Sequence, residues 1–214
     1  MKHFLLRLPR LFLGLFLYAL GIYVTIRANI GYAPWDVFHT GLSKATGMTL
    51  GMSSIITGVV IGIFAVLLGE KIGLGTLANM VVVGVFIDVL MTWNPTPVNQ
   101  NFWFGIPMMI VGLYIIAFAT YFYIGTGFGA GPRDSLMVAL TRKTKLPVGL
   151  CRGTIEVITL LTGWYLGGPV GLGTVLSAFG SGFCVQTTFK LMRFDITSVK
   201  HETLADTWRL MRTT

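Results

Sequence analysis

Apolar residues run along this chain in long unbroken stretches rather than in alternation with polar ones. A helix that crosses a bilayer needs ~20 mostly apolar residues. Six segments reach that length, at roughly 8–26, 50–68, 74–93, 102–124, 148–166 and 172–191. The dyad pattern of an outer-membrane barrel is missing, so the runs predict an all-α membrane protein. Two further segments, 34–45 and 132–144, rise only ~20 Å as helices and carry charges. Each starts at a proline, Pro34 or Pro132, which suits the first position of a helix. Each follows residues that extend a helix poorly: Asn29, Gly31 and Ala33 in one case, Gly127, Gly129 and Gly131 in the other. The pattern therefore predicts six transmembrane helices and two short half-helices.

Shifting the sequence by 98 residues aligns its halves without a gap from Leu11 on Met109 to Phe86 on Cys184, with nineteen of 76 positions identical. That is well above what so apolar a composition gives by accident. The matches cluster. GYAPWD, from Gly31 to Asp36, falls on GAGPRD, from Gly129 to Asp134. GLGT at Gly73 falls on GLGT at Gly171. The expected organisation is one membrane domain over 1–214, with repeat one at about 11–91 and repeat two at about 109–189. Three spans per repeat is an odd number, so the second repeat is expected upside down relative to the first. Inverted repeats with interrupted helices recur in secondary transporters, although fold alone does not fix function.

Composition then narrows the class. Only 11% of residues are charged, against ~25% in a soluble domain, which excludes an ordinary soluble enzyme. The net charge of +8 reads as topology rather than nucleic-acid binding. With six spans and both termini in the cytoplasm, fourteen Lys and Arg residues face inward and only Arg27 and Lys44 face out. The basic, apolar start resembles a signal peptide, but the same segment recurs in mid-chain, where no signal peptide sits. Residues 197–214 place Leu204, Trp208 and Met211 at helical spacing beside Lys200, Arg209 and Arg212, as in a cytoplasmic amphipathic tail on anionic headgroups.

The candidate pathway residues sit on the repeated motifs: Gly31, Pro34 and Asp36, with Gly129, Pro132 and Asp134. Each aspartate stands in the first turn of a half-helix. There it either stabilises the helix start or handles a substrate, proton or cation, and both readings stand at this stage. Trp35 and Arg133, at the intervening position, differ between the copies. Thr76 and Thr174 either cap helix starts or bond across helices. His39 is expected either at an interface or as a proton relay. Arg152 and Glu156, ionisable and inside a span, are functional hypotheses by default, yet at i,i+4 they also suit simple pairing. Small-residue pairs such as Gly149 and Gly153 serve helix packing or a homodimer contact. Asp88 is expected to reach the headgroups. Gly125–Gly131 is not a nucleotide fingerprint, and no metal-ligand spacing or catalytic grouping is present, so neither cofactor nor enzyme is expected. Cys151 and Cys184 read as small apolar packers.

The segment from Ala28 to Ser43, the segment from Gly129 to Met137 and the two GLGT motifs together resemble the YczE-like family of bacterial integral membrane proteins, distantly akin to the YitT group. The resemblance runs nearly end to end. It implies a plasma-membrane protein of five or six spans, a transporter or a helper of small-metabolite export, and it supplies no catalytic residues. The expected function is a small secondary transporter or exporter of an unidentified small molecule, with a non-transporting membrane scaffold as the alternative.

Overall fold

The computed structural model describes residues 2–195, 199, 201–204 and 206. They form eight helices: α1 (Lys2–Arg27), α2 (Pro34–Thr46), α3 (Leu50–Leu67), α4 (Leu74–Trp93), α5 (Phe102–Ile124), α6 (Pro132–Thr144), α7 (Val148–Tyr165) and α8 (Leu172–Leu191). No strand occurs among the described residues. The helix bounds lie close to the apolar runs, except that α1 starts at Lys2 rather than at 8. Four helices, α1, α3, α4 and α5, are long and apolar enough to cross a membrane. The others lack either the length or the hydropathy: α7 carries Arg152 and Glu156, and α8 is rich in Gly, Ser and Thr.

The centre of the molecule is the crossing of α1 and α5. The face of α1 at Leu11, Leu15, Ala19, Ile22 and Ile26 is buried at helical spacing against Val83, Ile87 and Leu90 of α4 and Tyr123 and Ile124 of α5. Lipid tails are as apolar as Leu, so close backbone approach at small residues, more than burial, drives such crossings. A Cβ at Gly14 would meet Tyr123 N at 2.8 Å and Ala119 O at 3.2 Å. One at Gly112 would meet Thr25 N and Gly21 O, both at 3.1 Å. Gly14 and Gly112 are 98 apart, as are Gly21 and Ala119, and Thr25 and Tyr123. Each contact thus recurs with its two partners exchanged.

The same exchange governs the breaks before α2 and α6. Gly75 N–H donates to Phe128 O at 2.7 Å, and Gly173 N–H donates to Ile30 O at 2.7 Å. Gly31 packs on Gly171 and Gly129 on Gly73. Both glycines take positive φ, +106° at Gly31 and +119° at Gly129. A Cβ on Gly31 would lie 2.5–2.8 Å from the Gly171 backbone. At the far ends of the short helices, Lys44 Nζ donates to Gly167 O at 2.9 Å, while Arg142 pairs with Glu70 at 3.0 Å. Asp88 faces inward rather than to the headgroups. It accepts from Thr49 Oγ1 at 2.5 Å and from Gly51 N–H at 2.7 Å, fastening the start of α3 to α4.

Gly31→Ala or Gly129→Ala adds a side chain where φ is positive and the facing backbone is in contact. Each is expected to cost about 1–3 kcal/mol from the backbone alone and more from overlap. The check is the melting temperature of the purified protein in detergent, with Gly47→Ala as the control, since Gly47 has open space around it at a similarly positive φ.

Candidate functional site

The two broken segments bring α2 and α6 together at their first turns. Pro34 and Pro132 occupy the first helical positions, without a side-chain cap on Ala33 or Gly131. The residues between the prolines and the aspartates then meet: the Arg133 guanidinium carbon lies 4.5 Å from the centroid of the Trp35 ring. Trp35 and Arg133 are themselves 98 apart, so the mismatch between the motifs is a complementary contact across the centre.

Around this stack lies a cavity of about 130 Å³. Its polar wall comes from Tyr18, His39, Asn79, Tyr123, Asp134, Arg152 and Glu156, and its apolar wall from residues such as Ile22, Ile61, Met80, Val83 and Ile155. Arg152 Nε donates to Glu156 Oε1 at 3.0 Å, along one face of α7. Beside Gly131 three polar atoms converge. The Tyr123 hydroxyl, Asp134 Oδ2 and Asn79 Oδ1 lie 3.3, 3.5 and 4.0 Å from the point that a Cβ on Gly131 would occupy.

The candidates read from the sequence thus separate. His39, Pro132, Asp134, Arg152 and Glu156 line the cavity. Gly31, Gly129, Pro34, Thr76 and Thr174 do not, and serve to build the breaks. Thr76 Oγ1 donates to Ala130 O at 2.6 Å and accepts from Gly73 N–H at 3.3 Å. Thr174 accepts from Gly171 N–H at 3.2 Å. Asp36 is 4% exposed and off the cavity, with His39 Nδ1 at 3.9 Å. No capping hydrogen bond to a helix N–H is formed by either aspartate among the described residues, which leaves the attraction of a carboxylate to the helix N-terminus as the only helix-start role. His39 is 2% exposed rather than interfacial, and its Nε2 is buried without a hydrogen-bond partner. Tyr18, Trp35, Asn79, Tyr123 and Arg133 were missed as site residues. Only the repeat alignment carried a signal for any of them, by putting Trp35 and Arg133 in the same register.

Each break is also covered from outside the repeats. Asn99 N–H donates to Arg27 O at 2.9 Å and its side chain to Ala28 O at 3.2 Å, holding the α4–α5 connection over the first break. Over the second, Glu202 N–H donates to Gly127 O at 2.7 Å and Glu202 pairs with Arg7 at 2.6 Å. Leu204 N–H donates to Ile72 O at 3.1 Å. This part of the expected tail is therefore held against the protein. Trp208, Met211 and the rest of the expected amphipathic helix lie outside the described residues.

A family model for DUF6198, a family of unknown function, matches residues 5–190. The chain is 35% identical over 187 residues to the uncharacterized membrane protein YczE of Bacillus subtilis (strain 168), covering 86% of each. It is 32% identical over 178 residues to an uncharacterized protein of Haemophilus influenzae (strain ATCC 51907 / DSM 11121 / KW20 / Rd), covering 82% of this chain and 80% of that one. A third relative, the uncharacterized protein YyaS of Bacillus subtilis (strain 168), is 28% identical over 181 residues, covering 81% of this chain and 88% of its own. No solved structure matches the chain.

The cavity wall makes an accessibility prediction. With Cys151 and Cys184, both buried, replaced by alanine, Asn79→Cys is expected to react with a small water-soluble methanethiosulfonate. Ser177→Cys, at the 98-related position and 2% exposed, is expected to react far more slowly. Mass spectrometry of the detergent-purified variants reads both.

Proposed function

The chain belongs to the DUF6198 family and, by its apolar helices and its relatives, is an integral membrane protein; on that premise we propose a small secondary transporter or exporter. Its two halves lie antiparallel in the plasma membrane, and they exchange their packing to carry a small molecule past the Trp35–Arg133 stack. Six helices cross the membrane in this reading. α7 and α8, at 18 and 20 residues, have the length for it, and the ionised groups of α7 pair with each other at the cavity. The excess of basic residues on one side puts both termini in the cytoplasm.

A contact made in one half and unmade in the other carries this reading. In the first half α3 packs along α4. Gly51 sits so close to Gly84 that a Cβ on it would run into the Gly84 carbonyl oxygen, and one on Gly84 would meet Gly51 O at 2.6 Å. The 98-related residues, Gly149 and Gly182, are glycines too. Yet a Cβ at either would meet nothing within 4 Å, and α7 and α8 barely touch. The second half keeps both residues of the close crossing without the crossing. A state in which α7 closes on α8 while α3 leaves α4 uses them.

The cavity follows the same asymmetry. It lies on the α1–α4 side, against Asn79, Met80 and Val83, and their counterparts Ser177, Ala178 and Ser181 on α8 do not line it. Asp134 faces it while Asp36 is shut away. Exchange of the halves brings Asp36 to the cavity in place of Asp134, so each carboxylate takes its turn as the proton or cation carrier. In this mechanism Gly149 is kept for α8 rather than for a homodimer contact, and the chain acts as a carrier rather than an enzyme.

The test is a disulfide between Gly149→Cys and Gly182→Cys, with Cys151 and Cys184 replaced, in membranes under mild oxidation. A disulfide needs Cα atoms about 4.4–6.8 Å apart, which the present arrangement of α7 and α8 does not offer. The expected result is efficient cross-linking, seen by mobility shift and peptide mass. A folded, maleimide-reactive pair that never cross-links means that the halves do not exchange, and the protein is then a static scaffold.

A further inference from the structure

Resting on the carrier reading of the same cavity, we infer that the molecule bound there is a small zwitterion, an α-amino acid with a compact apolar side chain. Two charged groups in the cavity make no ion pair within 4 Å among the described residues. Arg133 is stacked on Trp35 through its flat face and forms no ion pair within 4 Å among the described residues. Its edge forms no hydrogen bond to a side chain among the described residues. Asp134, its neighbour in sequence, turns instead towards the Tyr123 hydroxyl and the Asn79 amide and likewise makes no ion pair. Arg152 and Glu156 pair with each other at 3.0 Å. The site thus presents one cation and one anion side by side without closing on each other.

In a low-dielectric interior, an unpaired charge is expensive. A ligand of a single sign would satisfy one of these groups and leave the other exposed to that cost. A carboxylate suits the planar fork of a guanidinium, which binds it in two hydrogen bonds. It also suits the free N–H groups of the first turn of α6. An ammonium suits Asp134 with the oxygens of Tyr123 and Asn79 around it. His39 Nε2, buried and unpartnered on the cavity wall, is a further polar atom in need of a ligand. Between these groups, Ile22, Ile61, Met80 and Val83 form an apolar wall that accepts a hydrocarbon side chain. The volume, about 130 Å³, is close to the ~150 Å³ of a protein cavity that holds benzene, so side chains the size of valine fit and an indole does not.

The experiment uses the full chain, purified in detergent, and reads its melting temperature and binding heat with L-valine, L-valinamide, N-acetyl-L-valine and L-tryptophan. Valine keeps both charges; the amide and the N-acetyl compound each keep one. The expected result is a saturable rise in melting temperature with valine and none with the other three. Arg133→Gln and Asp134→Asn are each expected to weaken valine binding at least tenfold. Equal response to valinamide or to N-acetylvaline, or no response to valine at ~50 mM, a concentration that would stabilise appreciably at any Kd in the low millimolar range, overturns the zwitterion. The discrimination among probes is made on the unaltered chain, so a variant that fails to fold does not blunt it. Cross-linking of Gly149→Cys to Gly182→Cys needs no ligand. A carrier of some other molecule would still cross-link while ignoring valine, whereas a static protein would fail to cross-link whatever it binds.

Discussion

The fold turns on one constraint: backbone that leaves its helix in the buried interior of the protein must find hydrogen-bond partners there. Two such stretches lie before Pro34 and before Pro132. In each case the opposite half provides the partner through the glycine-rich start of a long helix, Gly173 N–H to Ile30 O and Gly75 N–H to Phe128 O. Side chains at Gly31, Gly73, Gly129 or Gly171 would hold the backbones too far apart for these bonds. The breaks are thus built jointly by the two halves, and neither half makes a complete site alone.

That joint construction puts the two motifs face to face at their first turns. Because position 35 meets position 133, the pair must be complementary rather than identical, and a tryptophan under a guanidinium is such a pair, with the weakly hydrated cation held over an electron-rich face. The half-helix α6 then aims Asp134 at one small polar cavity in an otherwise apolar molecule. Buried polarity of this kind is costly in a membrane.

The scaffold is symmetric in its contacts and asymmetric in its state. Gly51 and Gly84 touch while Gly149 and Gly182 stand apart, and Asp88 fastens α3 to α4 where the 98-related residues of Asp88 and Thr49 are Gln186 and Pro147. A carboxylate that accepts two hydrogen bonds holds more firmly than an amide with one candidate donor. The first half is therefore the more tightly clamped, and the second the freer to move.

By itself the sequence determined the helices, their ends and the repeat, because these follow from local chemistry: unbroken apolar runs, prolines that lack an N–H, and glycines at the same spacing in both halves. It also marked the neighbourhood of the site, through the aspartates at 36 and 134 and the pair Arg152 and Glu156. It could not say which aspartate faces the cavity, since both have the same local surroundings and differ only in which helix has closed over them. Nor could it raise Trp35, Arg133, Tyr123 and Asn79 above ordinary aromatic and polar residues, because their roles arise from contacts between segments 44 to 105 positions apart. Tertiary structure decided those matters, because only the packing of one half against the other sets which charges find a partner and which are left facing an empty space.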